Sequence, residues 1–374
     1  MEMTEANNIR AERYERTRNL FFLADQVLLA VFLCALLWGG ENCLALRAWR
    51  GAQDLCRGNF WLSTLLFALG FEFLYLLFSF PYECLKDYRV EKSFELSNQT
   101  FGGWFADFLK SSLLSVVLLS CAFLFCYASM RFFGKQWYLA AGAGWILLQI
   151  VLGMLFPVLI LPLFYKSQEL TDHPCREDLL KLIESAGLKI TGLYRLDMSE
   201  KTKKANAMLC GLGATRRVML SDALLEYAPA EIVAIMAHEI GHYKKRHIWK
   251  LAALHTVLIV LGLFLLSQIL IWYCGKYGLS LEEAGKIPVL AAVFALWQIL
   301  TMPLTNGFSR RCEYEADAFA LENADNLAFA SALRRLAEEN LSVLEVPRFV
   351  EIFLYSHPAV GKRVAMAENW KGKL

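Results

Sequence analysis

The sequence predicts a mainly α-helical protein that crosses a membrane about six times and has a small α+β domain outside the bilayer. Composition is the first observation behind this fold class: 57% of the 374 residues are hydrophobic, whereas roughly 45–50% is usual for a soluble protein. The apolar residues are also grouped into stretches long enough to span a bilayer. The segments between these stretches show the shorter helix and strand patterns of a soluble domain.

Six apolar stretches each have about the 20 residues that a helix needs to cross the hydrocarbon core of a bilayer. The first follows a polar, arginine-rich segment and lacks a small-residue cleavage site. It is therefore predicted to be a retained span rather than a signal peptide. The predicted spans are residues 20–38, 60–80, 111–133, 138–165, 248–274 and 287–308.

These spans divide the chain into four regions. Residues 1–165 form a membrane region with four spans, residues 166–247 a soluble segment, residues 248–308 two further spans, and residues 309–374 a C-terminal segment. Periodicity predicts secondary structure in the two soluble regions. Helices are predicted at residues 176–186, 231–247, about 313–339 and about 360–369, and strands at residues 190–196 and 217–220.

Loop charge predicts the orientation in the membrane. Six crossings place the N-terminal segment, the 81–110 loop, the 166–247 segment and the C-terminal segment on the same side, which is the more basic side near the span ends. The positive-inside rule assigns this side to the cytoplasm, although Arg47, Arg50 and Arg57 in the first opposite loop argue against it. We expect a multi-pass protein of the bacterial inner membrane or the endoplasmic reticulum, with its soluble regions in the cytoplasm.

Charge and cysteine usage exclude two further classes of function. The 38 basic and 36 acidic residues leave a net charge of only +2, so nothing in the bulk charge indicates a nucleic-acid partner. The ten cysteines contain no C-x-x-C pair, which excludes zinc knuckles and thioredoxin-like redox motifs. The function must therefore depend on a more specific motif.

Residues 238–242 read His-Glu-Ile-Gly-His within the predicted 231–247 helix. Residues four apart share a helix face, so the imidazoles of His238 and His242 can bind one zinc ion, and Glu239 beside them can take a proton from an attacking water. The alternative is a chance occurrence on a surface helix. The helix leads directly into a span, which favours a metal site at the membrane boundary.

Catalytic zinc usually has three protein ligands and one open position. Glu313 is the candidate third ligand, at the predicted start of a helix that leaves the last span. Asp317 lies one turn later and can orient a ligand imidazole, whereas Glu315 is expected to point elsewhere. The alternative is a helix cap at Glu313 and an ion pair at Asp317, but the pair lies on the same membrane side as the two histidines.

The remaining histidines divide into three groups. His173 and His247 are expected at the surface, and His255 and Glu72, both within spans, are expected to face a water-filled cavity because polar groups rarely face lipid. His357 lies in a Tyr-Ser-His-Pro sequence, where an imidazole could stabilise the oxyanion of a hydrolytic reaction.

Together these residues resemble the type I CAAX prenyl endopeptidases, membrane gluzincins in which an H-E-x-x-H helix and a distant E-x-x-A-D helix bind zinc. The resemblance extends from about residue 81 to residue 363. It includes Pro162-Leu163-Phe164, Asn206-Ala207-x-x-x-Gly211, and His357-Pro358 followed by Arg363.

The resemblance implies a function, a cofactor and a set of site residues. The protein would be an integral membrane zinc endopeptidase with one zinc ion per chain, and its spans would enclose a large water-filled chamber containing the site. Its partners would be the lipid bilayer and a peptide or protein substrate aligned on an edge strand by β-augmentation. The implied residues are His238, His242 and Glu313 on the metal, Asp317 behind them, Glu239, His357 and Arg363 in catalysis, and Asn206 and Ala207 on the edge strand.

Two departures leave the substrate open. Eukaryotic members have seven spans where six are predicted here, and Glu95 occupies a glycine position within the family's pattern at residues 91–100. The substrate is either a prenylated C-terminal CAAX peptide or a misfolded or orphan membrane protein, as for the related membrane heat-shock proteases. A different interpretation is a transporter or scaffold with structural zinc, which predicts four protein ligands.

Overall fold

The computed structural model describes residues 5–372. Residues 1–4 and 373–374, at the outer ends of the first and last predicted regions, lie outside the described residues. The first half of the described chain is helical. Its helices are α1 (Glu5–Leu37), α2 (Leu44–Leu55), α3 (Phe60–Glu83), α4 (Phe101–Phe133) and α5 (Trp137–Leu155).

Two of these helices continue through π-helical segments. Helix α3 is followed directly by a π-helical segment, Cys84–Val90, and a short α-helical turn, Glu91–Ser93. Helix α5 is followed in the same way by the π-helical Phe156–Ile160 and the α-helical turn Leu161–Phe164. The proline at Pro157, which lacks an N–H, fits the second of these distortions.

The second half combines a small sheet with further helices. Its main elements are β1 (Ser167–Glu169), α6 (Arg176–Ser185), β2 (Leu193–Leu196), β3 (Ala207–Cys210), β4 (Arg217–Ser221), α7 (Pro229–Lys244), α8 (His247–Tyr277), α9 (Ile287–Asn323), α10 (Asn326–Glu339), α11 (Arg348–Leu354) and α12 (Val360–Glu368). Short 3-10 turns lie at Gly40–Asn42, Gly134–Gln136, Gly213–Thr215, Leu224–Glu226 and Ala284–Lys286.

Among residues 5–372, five continuous helical segments are long and apolar enough to cross a membrane. The longest, Phe101–Phe164, contains both the third and the fourth predicted spans as α4 and α5. Each of the six predicted spans thus falls on a helix. The mainly α-helical, polytopic membrane fold is confirmed.

The predicted 231–247 helix is divided in two, which corrects the sequence analysis. Helix α7 begins at Pro229 and ends at Lys244, and α8 begins at His247. Arg246 between them has a φ of 56°, a left-handed conformation that a right-handed α-helix cannot continue through. This break lets α7 pack on the soluble sheet while α8 enters the apolar helices.

The C-terminal helices also differ from the prediction. Glu313 does not start a helix, because α9 runs without interruption from Ile287 to Asn323 and joins the last span to the acidic motif. The single helix predicted at residues 313–339 is in fact two helices, because α9 ends at Asn323 and α10 begins at Asn326. Ala324 is extended, and the Asp325 side chain caps α10 by accepting the Ala328 N–H at 2.6 Å.

The four strands form one sheet in the order β1-β2-β4-β3. Strand β4 pairs in parallel with β2 and antiparallel with β3, and β1 pairs antiparallel with β2. The predicted strands at 190–196 and 217–220 correspond to β2 and β4. The sequence of β1, Ser-Gln-Glu, has no hydrophobic alternation and gave no signal. Strand β3 is an edge strand, as the resemblance implies for Ala207.

The two largest hydrophobic cores hold most of this arrangement. One joins the sheet to α7, the end of α9, and α10. The other lies among the long apolar helices, with the short α2 packed against them. Residues of the first core include Val218, Leu220, Ile232, Met236, Ile240, Ala320 and Phe329, and residues of the second include Phe32, Trp49, Phe67, Tyr127, Trp137 and Leu270.

Candidate active site

Helices α7 and α9 cross at two small residues, Gly241 and Ala316. A Cβ atom added at Gly241 would lie 3.0 Å from the Ala316 Cα and carbonyl oxygen, so a larger residue does not fit without movement. Ala316 is itself completely buried. This close approach places the His-Glu-x-x-His face of α7 against the acidic face of α9.

Three side chains at this crossing point their polar atoms at one another. The Nε2 atoms of His238 and His242 are 3.1 Å apart, and each lies 3.3 Å from a carboxylate oxygen of Glu313. Donor atoms on a tetrahedral zinc ion with bonds of 2.0–2.1 Å are about 3.3 Å apart. Glu313 Oε2 is also buried without a hydrogen-bond partner among the described residues. The donor set therefore fits a zinc ion.

Asp317 lies behind His238, as predicted. Its Oδ1 accepts from His238 Nδ1 at 2.8 Å, and Arg363 holds the same carboxylate through both oxygens at 2.6 and 2.8 Å. Burial lowers the pKa of His238, but the neighbouring carboxylates of Asp317 and Glu313 outweigh it and raise the value to about 9. The pocket therefore stabilises positive charge at His238, as a metal-binding site should.

Glu239 is half-buried and follows His238 directly on α7. Burial raises the pKa of Glu239 above its ordinary value, and the neighbouring His238 and His242 oppose this shift. A carboxylate with a raised pKa is a stronger base than one in bulk water, which suits it to take a proton from an attacking water.

His357 and Arg363 both reach the same group of side chains. His357 Nε2 lies 3.4 Å from Glu313 Oε1, and His357 Nδ1 pairs with the Ser356 hydroxyl at 3.0 Å. The Arg363 side chain is only 11% exposed, whereas that of His357 is 62% exposed. His357 is therefore placed to meet a bound molecule, and Arg363 is fixed within the site.

The loop that carries His357 is anchored by two residues that the sequence analysis missed. Buried Glu351 accepts the Ala359 N–H at 3.2 Å and a Lys362 Nζ–H at 2.5 Å. Arg310 donates to the carbonyl oxygens of Glu351 and Tyr355, each at 2.6 Å. In the sequence Arg310 was only one of several basic residues at a span end, so nothing distinguished it.

His247 was expected at the surface, and this prediction is wrong. Its side chain is 1% exposed and lies between His242 and Glu315, with Nδ1 3.0 Å from His242 Nδ1 and Nε2 3.1 Å from Glu315 Oε2. Glu315 points away from the metal-binding atoms, as predicted, but it is linked to them through His247. The helix break at Arg246 is the reason, because it turns His247 back towards His242.

The edge strand requires a correction at Asn206. Its N–H donates to the Ser221 hydroxyl and its carbonyl accepts the Ser221 N–H, both at 2.9 Å, so the Asn206 backbone faces β4. Backbone groups alternate sides along an antiparallel strand. The N–H and carbonyl of Ala207 therefore face the open edge, where a peptide can add.

The two polar residues predicted to face a cavity within the membrane differ. His255 lines a cavity of about 400 Å³ together with Gln298 and Thr301. Glu72 is instead buried between helices, where it accepts from the Ser120 hydroxyl at 3.3–3.4 Å. Only His255 therefore lies where the resemblance expects a water-filled space.

Two family models together match almost the whole chain. Peptidase family M48 matches residues 169–371, and the CAAX prenyl protease N-terminal region, described as five membrane helices, matches residues 1–166. Four spans were predicted in this region from the apolar stretches of the sequence. The structure has four long helices there and the short α2 (Leu44–Leu55).

Individual relatives agree with these matches. The uncharacterized metalloprotease YhfN of Bacillus subtilis is 27% identical over 96% of this chain and 85% of its own length. The probable CAAX prenyl protease 1 of Schizosaccharomyces pombe is 26% identical over 80% of this chain, which spans 64% of that relative.

Among solved structures, Ste24p of S. mikatae has the same fold. The TM-score is 0.84 at 21% identity, over 97% of this chain and 89% of that one. The family matches decide against the interpretation as a transporter or scaffold. The chain belongs to peptidase family M48 and is an integral membrane zinc metallopeptidase.

Proposed function

We propose that the chain is an endopeptidase that binds one zinc ion through His238, His242 and Glu313 and cleaves peptides beside the membrane. The observation that carries this proposal is the cluster of donor atoms: the two imidazole nitrogens are 3.1 Å apart, and each lies 3.3 Å from a different carboxylate oxygen of Glu313. When bound there, zinc would polarise the carbonyl of the scissile peptide bond and favour attack by water.

The chain's own residues supply the proton transfers. Glu239 takes a proton from the attacking water and returns it to the leaving amine, because it is half-buried beside both ligand histidines. His357 donates from its imidazole to the developing oxyanion, since its exposed ring reaches within 3.4 Å of Glu313. Arg363 holds Asp317 and adds positive charge to the same pocket.

The substrate peptide pairs with the open edge of β3 through Ala207. Ala207 and Leu209 pack against the core that contains α7, so the strand is fixed relative to the metal-binding helix. A cavity of about 520 Å³ lies beside His357 and Arg363 and reaches Tyr14 of α1. Side chains of the bound peptide fit into this cavity.

The preferred substrate is a prenylated C-terminal CAAX peptide. Several relatives carry the name CAAX prenyl protease 1, including those of Schizosaccharomyces pombe and Saccharomyces cerevisiae. The glycine that Glu95 replaces does not weaken this assignment. Glu95 has a φ of 58°, the left-handed conformation natural to glycine, and pairs with Arg10 at 3.0 Å. The backbone thus keeps a glycine-like course.

We place the active site on the cytoplasmic side of the bacterial inner membrane or the endoplasmic reticulum. The basic residues near the span ends on the side of the soluble sheet support this orientation.

The test uses protein purified in detergent and two peptides that differ only in a prenyl group on the CAAX cysteine. Mass spectrometry of the products should show cleavage that stops on chelation and returns with zinc. Cleavage of the prenylated peptide alone supports the preferred substrate. Equal cleavage of both peptides favours a membrane-protein quality-control protease, and no cleavage of any peptide by the zinc-loaded protein contradicts the proposal.

A further inference from the structure

His247 lies behind His242, on the side away from the atoms that face the metal position. The two Nδ1 atoms are 3.0 Å apart, and the second nitrogen of His247 is 3.1 Å from Glu315 Oε2. The His247 side chain is 1% exposed. Both of its nitrogens therefore have a defined protein partner.

One assignment of protons satisfies this whole chain of contacts, provided that His242 binds zinc as proposed above. His242 Nε2 then offers its lone pair to the metal, so its proton is on Nδ1 and is donated to His247 Nδ1. His247 carries its own proton on Nε2 and donates it to the Glu315 carboxylate. Every ring nitrogen of His242 and His247, and the accepting oxygen of Glu315, then has a partner.

We propose that His247 is a positioning residue that, together with Glu315, fixes the ring orientation and the tautomer of His242. The other ligand imidazole has the same kind of support from Asp317, which accepts directly from His238 at 2.8 Å. Metal-binding histidines commonly donate their second N–H to such a partner. Here one histidine uses a carboxylate directly, and the other reaches its carboxylate through a second imidazole.

The local fold explains how His247 reaches this position. In an uninterrupted helix, residues five apart point about 140° away from each other, so His247 would face away from His242. The left-handed residue Arg246 ends α7 and starts α8 at His247. Lys250 contacts the same Glu315 oxygen as His247, at 3.2 Å, whereas the exposed Arg311 contacts only the other oxygen.

The test compares zinc affinity in four proteins purified in detergent: the parent, His247→Phe, His247→Asn and Arg311→Ala. Zinc retained against a graded chelator is measured together with peptide hydrolysis. His247→Phe keeps a ring but removes the acceptor, so zinc affinity should fall by roughly 10–100-fold. His247→Asn offers a carbonyl oxygen near the position of Nδ1 and should restore part of the affinity. Arg311→Ala removes an exposed partner of Glu315 and should leave affinity near the parent value.

The outcomes separate this inference from the proposed function. Parental affinity in a folded His247→Phe protein overturns the inference while leaving zinc binding intact. A parent that binds no zinc overturns both. If His247→Phe does not fold, Glu315→Ala takes its place, since it leaves the His247 N–H without its acceptor. Glu315→Ala should also lower zinc affinity by more than Arg311→Ala does. An equal effect of the two substitutions overturns the inference.

Discussion

At the scale of single residues, Glu239 and Glu313 are two carboxylates in one pocket with different surroundings. Glu313 is 5% exposed and faces both ligand nitrogens at 3.3 Å. Glu239 is half-buried and adjoins His238 in the chain. The first suits a metal ligand and the second a base, so their replacement should have different consequences.

Glu239→Gln should retain about one zinc per chain, because it leaves all three ligands in place. Hydrolysis should fall by roughly 10²–10⁴-fold, as is typical when a general base is lost. Glu313→Ala should instead lose zinc on dialysis and regain part of its activity in excess zinc. Metal analysis and peptide hydrolysis on the same samples test both. Stoichiometric, tightly held zinc in Glu313→Ala would require another third ligand, and Glu315 is engaged with His247.

The raised pKa of His238 predicts that zinc binds more tightly as pH rises. With a pKa of about 9, the metal-free imidazole is protonated below that pH, and zinc must displace this proton. Apparent affinity should therefore increase by up to about tenfold per pH unit between pH 6.5 and 9. Chelator competition at several pH values measures this. An affinity that does not change over this range would contradict the prediction.

The sequence was informative at residue scale where the chemistry is local. His238, Glu239 and His242 could be predicted because one helical turn fixes their relation. Arg310 could not, because it donates to carbonyl oxygens 41 and 45 residues away. Glu351 could not either, because its carboxylate meets Ala359 and Lys362 only after the irregular loop between them has folded, and no helical or strand periodicity predicts that contact.

At the scale of elements, the open edge of β3 predicts the effect of proline. Ala207→Pro removes an N–H that faces away from the sheet, so the fold should persist. Losing one hydrogen bond to the peptide should lower kcat/KM by about 2- to 12-fold. Asn206→Pro is the matched comparison, since it removes a donor to Ser221 and should destabilise the sheet instead. Thermal unfolding, zinc content and kinetics distinguish the two; unchanged kinetics in Ala207→Pro would exclude this edge.

The loop anchored by Glu351 predicts a second effect. Burial raises the pKa of Glu351, but Lys362 and the Ala359 N–H outweigh it and lower the pKa below its ordinary 4.5. The anchor is therefore present above pH 4.5 and is lost as pH falls through the lower folded value. Glu351→Ala leaves the buried Ala359 N–H unpaired, which costs the loop that carries His357 about 1–3 kcal/mol. The variant should therefore retain zinc, but its kcat/KM should fall by roughly tenfold because His357 is no longer held in place. Exposed Glu345→Ala is the control, and equal kinetics in the two variants would argue against the anchor.

Helix boundaries were the weakest part of the sequence analysis, for a physical reason. Periodicity identified the apolar faces of α7, α8 and α9 but could not detect a single left-handed residue. Lys244-Lys245-Arg246 is compatible with a helix by propensity. The break at Arg246 comes from the need to pack α7 on one core and α8 on another, and this tertiary requirement is absent from the local sequence.

At the scale of the whole molecule, the polar segments gather at opposite ends of the apolar helices. Arg131, before the 134–136 turn, pairs with Glu282 at 3.3 Å. A Cβ added at Gly285 would lie 2.8 Å from the Leu46 side chain, so α2 lies at this same end. The sheet and the metal-binding side chains occupy the other end. The sequence predicted this separation from the number of spans, whereas the packing of α2 against the turns needed the structure.

This separation predicts a topology that reporter insertions can test. A reporter inserted at Lys135 should lie outside the cytoplasm, and reporters at Lys203 and at the C-terminus should both lie inside it. Activity of a phosphatase reporter indicates the outer side of the membrane, and fluorescence of a green fluorescent protein reporter indicates the inner side.

The reporters at Lys203 and in the C-terminal segment must lie on the same side in any orientation, because the 166–247 segment and the last helices share one hydrophobic core. Disagreement between these two would contradict the fold, whereas inversion of all three would contradict only the cytoplasmic placement. The experiment tests the orientation most directly, since Arg47, Arg50 and Arg57 add positive charge at the end that is expected outside and so oppose the predicted orientation.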